Sequence, residues 1–269
     1  MLQKFNAADR VLSNNTFISN EVQYNLLHRI SESTGSSCLK ADDETMIYAQ
    51  STGNNAWIWI SKNISVTRQD ELLQELIDFL KGTTLPGVSG EPTLTERFAQ
   101  IYSKANSVQY QPTMRLESYF CSELHKPVNV RGTMRKATRE NVETVAEFLA
   151  GFSEGAYGIV VDPATQIPEA VGIIDTGGLY LWFVDGHPAS MANIAHRSPR
   201  HARINAVYTP ASFRKKGYAS ALVAELCSII TSESLVPMLY ADLNNPDSNK
   251  VYQKIGFVES GKIVNIKFK

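Results

Sequence analysis

The sequence predicts an α/β (α+β) fold in two parts, and three observations carry that expectation. Stretches rich in aromatic and β-branched residues alternate with stretches whose apolar residues recur at helical spacing. The order strand, helix, turn-rich strand, helix, strand occurs twice, from Trp57 to Arg115 and from Ile204 to Ile263, over nearly the same length. A basic loop containing a glycine, Arg214-Lys215-Lys216-Gly217-Tyr218-Ala219, joins a strand to a helix.

In the first part, Glu21–Ile30 carries apolar residues at helical spacing. Thr45–Gln50 and Ala56–Ser61 read as strands. Asp70–Lys81 is a helix with Leu72, Leu73, Leu76, Ile77 and Leu80 on one stripe, ended by Gly82. The turn-rich Leu85–Gly90, a helix from Pro92 to Lys104 and a strand near Arg115–Phe120 follow.

His125–Gly132 is a connector, so the chain divides as residues 1–128 and 129–269. The second part opens with a strand at Thr133–Ala137 and a helix with Val142, Val145, Phe148 and Leu149 on one face. Strands are expected at Glu169–Ile174, Leu179–Val184 and Ala189–Ala195, with Gly177-Gly178 and Asp185-Gly186 as turns. His196–His201 reads as a loop.

Composition narrows the function classes. A formal charge of −1 over 269 residues gives no electrostatic footprint for nucleic acid. No apolar run approaches the ~18 residues that span a bilayer, and Met1–Asn6 does not begin a signal peptide. A cytoplasmic protein without membrane partners is the expectation. The three cysteines and five histidines are scattered, which supports neither a disulfide framework, nor a metal site, nor a hydrolase triad.

The chemistry is expected at the loop. The strand before it ends at Pro210, and a helix runs from Gly217 to Thr231 with Leu222, Val223, Leu226, Ile229 and Ile230 buried. Unpaired N–H groups at the start of that helix, together with its dipole, make a site for phosphate oxygens. Gly217 and Ala219 let an anion approach the backbone, and Arg214, Lys215 and Lys216 add cations. The glycines of a Walker loop and of a dinucleotide fingerprint are both absent. Downstream, Pro237–Asp242 is a strand, and a short helix starts at Asn245-Pro246 and stops at Gly256. It sets Ser248, Asn249 and Tyr252 within one turn of each other.

Arg214-x-x-Gly217-x-Ala219 and Asn245-x-x-Ser248-x-x-x-Tyr252-x-x-x-Gly256-Phe257 together resemble the two signatures of the GNAT superfamily of acyl-CoA N-acyltransferases. The resemblance covers roughly Gly132 to Lys269 and implies a mixed central sheet flanked by helices. The front half is similar to the divergent N-terminal domain of a two-domain bacterial group of acetyltransferases, a degenerate GNAT-like half. Its Ser61–Thr67 segment lacks the spaced glycines.

The resemblance implies acetyl-CoA as cosubstrate, no metal, and a primary amine on a small molecule or peptide as acceptor. Val207, Tyr208 and Thr209 would pair with the pantetheine arm through their backbones. Lys215, Lys216, Gly217, Tyr218, Ala219 and Ser220 would hold the pyrophosphate beside Arg214, and Asn245, with Ser248 and Asn249 on its helix, would meet the cofactor from the other side. Tyr252 is the expected general acid for the leaving thiolate. Asp175, Asp185 and Asp242 read as turn or capping carboxylates, and no glutamate lies on Arg203–Thr209, so no base is assigned. Asn193 and Asn205 face the cleft in the register assumed for their strands. A non-catalytic acyl-CoA sensor is the alternative, and the chain is expected as a monomer or homodimer.

Overall fold

The computed structural model describes residues 1–269. In chain order the elements begin Leu2–Lys4 (β1), Asn15–Ile18 (α1), Leu26–Glu32 (α2), Ser37–Ala41 (β2), Met46–Gln50 (β3) and Ala56–Ile60 (β4). Val66–Phe79 (α3), Gly87–Gly90 (β5), Pro92–Asn106 (α4) and Tyr110–Cys121 (β6) follow. The chain continues through Thr133–Lys136 (β7), Val142–Tyr157 (α5), Ile167–Asp175 (α6), Leu179–Val184 (β8) and His187–Arg197 (β9). His201–Tyr208 (β10), Tyr218–Ser232 (α7), Val236–Asp242 (β11), Pro246–Ile255 (α8) and Phe257–Phe268 (β12) complete it.

Two compact units result, Met1–Tyr119 with Glu259–Lys269, and Phe120–Val258. The sequence draws a single boundary between 128 and 129; the compact units change over at 119/120 and again at 258/259. The end of β12 enters the first unit because Val264–Lys267 pairs antiparallel with Gly90–Gly87 of β5.

In the first unit the strand order is β1-β2-β3-β4-β5-β12-β6. β2, β3 and β4 form antiparallel ladders, whereas β4 and β5 run parallel, paired only at Ala56↔Val88 and Trp57↔Ser89. Ser65 caps α3 by accepting from Arg68 N–H, so the helix starts four residues before Asp70. Its stripe of Leu72, Leu73, Leu76 and Ile77 is buried against the sheet core, about 1.5–3 kcal/mol for each side chain.

The second unit has the order β11-β10-β9-β8-β7. Only the β10–β11 pair is parallel; β7, β8, β9 and β10 are antiparallel neighbours. Asp185 and Gly186, both at positive φ, turn β8 into β9, as the Asp-Gly pair predicts. Val145, Phe148 and Leu149 of α5 pack with Leu179, Leu181 and Met191 of the sheet.

Three expectations are corrected. Glu169–Ile174 is helix α6 rather than a strand: Pro168 opens it, and Ala170 and Ile174, four apart, supply its buried face. The run Ala170-Val171-Gly172-Ile173-Ile174 lacks the polar alternation that separates strand from helix. The helix expected at Glu21–Ile30 begins only at Leu26, and the loop expected at His196–His201 shortens to a turn at residues 198–200 between β9 and β10.

The repeated element order is present as β4-α3-β5-α4-β6 and β10-α7-β11-α8-β12. Both units also begin the repeat with a parallel strand pair.

Candidate active site

The second unit builds its site where a parallel pair comes apart. The β10–β11 ladder runs from His201↔Val236 to Ile204↔Leu239 and stops, although β10 continues to Tyr208 and β11 to Asp242. Crevices at the carboxyl ends of parallel strands are where α/β sheets bind ligands. On its other edge β10 carries a bulge: Asn205 pairs with Asn193 and Tyr208 with Met191, three residues against two, with Ala206 at φ 49°. Val207 and Tyr208 therefore lie in strand beyond the last β11 pair, with Thr209 just past the strand end. Ser190 Oγ closes the edge by donating to Tyr208 O (2.9 Å) and lying 2.8 Å from Thr209 Oγ1.

The loop after Thr209 folds back on itself. Pro210 is followed by a single 3-10 turn, Ala211–Phe213. Arg214 Nε donates to Thr209 O (2.9 Å) and Lys216 Nζ to Ser212 O (3.1 Å). Lys215 sits at φ 61° and Gly217 at φ 83°, so the loop tightens through two left-handed residues. A side chain at 217 would be strained at that φ and would press on Val130.

Gly217 is the N-cap of α7 and no side chain caps it. Its carbonyl accepts the first helical bond, from Ala221 N–H, which leaves the N–H groups of Tyr218, Ala219 and Ser220 at the positive end of a 15-residue helix. The donors expected to hold a pyrophosphate are thus brought together.

On α8 the assigned residues meet different fates. Asn245 caps the helix by accepting from Ser248 N–H (3.1 Å). Asn249 spends its amide on Asp242 O (2.8 Å) and Asn245 O (2.7 Å), so in this arrangement it braces the strand-to-helix turn. Ser248 and Tyr252 are one turn apart on the same side. Tyr252 is 7 % exposed, its ring edge-on to Phe257, and burial pushes its phenol above the ordinary phenol value. It therefore stays protonated throughout the neutral range.

The aspartates considered as bases are engaged. Asp175 holds Arg139 (2.6 Å), Asp185 pairs with Arg131 in its turn, and Asp242 accepts from Asn244 N–H (2.9 Å). What lies on β9 and β10 instead is an amide pair, Asn193 Nδ2 donating to Asn205 Oδ1 (2.9 Å). Sequence reasoning placed these two conditionally; it missed Ser190, which no motif marks.

Residues 146–257 match the model of the acetyltransferase (GNAT) family. Among solved structures, the chain is similar to a GNAT-family acetyltransferase from Colwellia psychrerythraea at 13 % identity and TM-score 0.60, covering 100 % of both chains. It is similar to a GCN5-related N-acetyltransferase from Sphaerobacter thermophilus at 12 % identity and TM-score 0.62, covering 100 % of this chain and 95 % of that one. A Drosophila protein gives 12 % identity and TM-score 0.69 over 100 % and 98 % of the two chains. At these identities the likeness is one of fold. No protein of curated function matches the chain. The match to the acetyltransferase (GNAT) family thus falls on residues 146–257, and the fold of solved GNAT acetyltransferases extends over the whole chain.

Proposed function

We propose that the protein transfers an acetyl group from acetyl-CoA to a primary amine by direct attack. The observation that carries this reading is the end of the β10–β11 ladder beside an uncapped helix N-terminus. A thioester arm can pair with the backbone of Val207, Tyr208 and Thr209. The N–H groups from Tyr218 to Ser220, with Lys215, Lys216 and the turn held by Arg214, suit a pyrophosphate. Asn245 and Ser248 border the arm from α8.

The neutral amine attacks the thioester carbonyl, forming the C–N bond. A strand-end N–H stabilises the oxyanion. The C–S bond then breaks, the Tyr252 phenol donates a hydrogen bond to the departing sulfur, and the proton that the amine gives up to water returns to the thiolate. Because burial holds the phenol high, its main contribution is a strong hydrogen bond to the developing thiolate. The amine loses its extra proton to water, since no carboxylate on β10 stands ready to take it.

Thiol release from acetyl-CoA over a panel of amines, for wild type and Tyr252→Phe, tests this. Turnover with one amine class and a loss of about 10²-fold in kcat for the variant is expected. Binding of acetyl-CoA without turnover on any amine would favour the second reading, a non-catalytic acyl-CoA sensor, for which the amides at 193 and 205 speak. No helix is long and apolar enough to cross a membrane, and we place the reaction in the cytoplasm, on a small-molecule or peptide amine, in a monomer or homodimer.

A further inference from the structure

The first unit repeats the architecture of the donor site with different side chains. Glu91 caps α4 by accepting from Leu94 N–H (2.9 Å), with Pro92 next, as Asn245 caps α8 by accepting from Ser248 N–H (3.1 Å), with Pro246 next. Aligned on these caps, Glu91, Leu94 and Phe98 stand where Asn245, Ser248 and Tyr252 stand. Phe98 is fully buried and has no proton to give. The helix after β4 is capped by the Ser65 hydroxyl, whereas Gly217 leaves α7 open. The first unit therefore has neither the phosphate loop nor the acid.

The first unit has a cavity of its own. Beyond Trp57↔Ser89 the β4–β5 ladder ends, and a space of ≈ 120 Å³ opens between the end of β4, the first turns of α3 and α4, and the segment before α2. This volume compares with the ~150 Å³ cavity that holds one benzene, so roughly six non-hydrogen atoms fit. Coenzyme A does not.

Its walls are aromatic and aliphatic. Trp59 (1 % exposed) and Tyr24 (2 % exposed) face it together with Ile60 and Leu94. The aromatic walls are fixed, since Trp59 Nε1 donates to Asn20 Oδ1 (3.1 Å) and the Tyr24 hydroxyl accepts from Glu91 N–H (3.1 Å). The three charged groups on the lining differ in how they are balanced. Arg97 is paired with Asp70 and also donates to Gln69 Oε1 (3.3 Å). Glu91 sits on the positive end of α4 and holds the Leu94 N–H. Lys62, in the loop after β4, has neither a hydrogen-bond nor an ion-pair partner. Of the three, Lys62 alone is left without a partner, beside an apolar floor.

We propose that this cavity binds a short aliphatic monocarboxylate, its carboxylate on Lys62 and its chain between Trp59, Tyr24 and Leu94. The site binds without turnover. Every wall residue lies in the first unit, so the proposal stands or falls independently of the donor reading.

The probe is butyrate, titrated into the ¹⁵N-labelled full chain while the indole N–H resonance of Trp59, assigned with Trp59→Phe, is followed. A saturable shift is expected, with n-butylamine giving none. Lys62→Ala, an exposed position, should weaken binding about tenfold, as expected for loss of a charge-assisted contact, and Lys62→Arg should restore most of it. No saturable shift, an equal shift with butylamine, or an affinity indifferent to Lys62→Ala would each overturn the proposal. Retained binding of acetyl-CoA by Lys62→Ala shows that the second unit is intact whichever result is obtained.

Discussion

Asn193 on β9 donates its side-chain amide to Asn205 on β10 across 2.9 Å, at the pair that immediately precedes the β10 bulge. Asn193 is 3 % exposed, so the bond satisfies a donor that water does not reach. Asn205→Leu removes the acceptor and should cost about 1–3 kcal/mol in urea unfolding. The double variant Asn193→Leu/Asn205→Leu, with both partners apolar, should recover part of that loss. If the double variant is the less stable by the sum of the two single effects, the pair is not coupled.

The same amides shape the pH dependence. Neither titrates, so kcat/KM should rise with pH until the acceptor amine is deprotonated, without an acidic limb near pH 4–5 from an enzyme carboxylate. Two amines of different basicity decide the matter. Their rising limbs should shift with the amine; a common limb fixed by the enzyme would contradict the assignment.

Stability should fall in alkali. Burial raises the Tyr48 and Tyr252 phenols above their ordinary value of 10.0 in the folded chain. Below that pH both states keep the proton and the contribution is fully present. Above it the unfolded chain releases protons that the folded chain retains, and stability is lost as pH rises through the folded values. Urea midpoints from pH 8 to 11 should hold steady and then decline above about pH 10, with a shallower decline for Tyr252→Phe. Identical slopes for wild type and variant would remove Tyr252 from the account.

Gly217→Ala tests the loop. At φ 83° an alanine is strained by about 1 kcal/mol, and the N–H groups it positions are those expected to hold the donor's phosphates. Calorimetric affinity for acetyl-CoA should fall about tenfold or more, with the melting temperature only slightly lowered. A weakened fold with unchanged donor affinity would move the phosphate site elsewhere.

Gly151 of α5 leaves room for the Tyr208 phenol, because a Cβ there would overlap the ring's hydroxyl end. Gly151→Ala should destabilise by about 1–3 kcal/mol from crowding, against roughly 1 kcal/mol gained in helix propensity. Adding Tyr208→Phe should relieve part of the loss in denaturant melts. Additive effects of the two changes would mean that the residues do not press on each other.

How much of this was legible depended on the range of the interaction. The α7 and α8 starts were readable from Gly217 and Asn245-Pro246, because caps and left-handed turns are decided within a few residues. The α6 segment was not, since Ala170-Val171-Gly172-Ile173-Ile174 suits either a buried strand or a helix, and only packing of Ala170 and Ile174 separates them. Ser190 and the Asn193–Asn205 pair depend on cross-strand register, which a one-residue bulge at Ala206 alters without any local signature.

The sequence by itself determined the fold class, the family signatures and the Gly217 turn into α7, because these rest on local backbone chemistry and spacing. Tertiary structure alone decided which strands part company, that Asn249 braces a turn, that Tyr252 is buried, and that Trp59, Lys62 and Glu91 enclose a cavity. Those outcomes need residues distant in the chain to meet, and pairing and burial are properties of the assembled sheet and core.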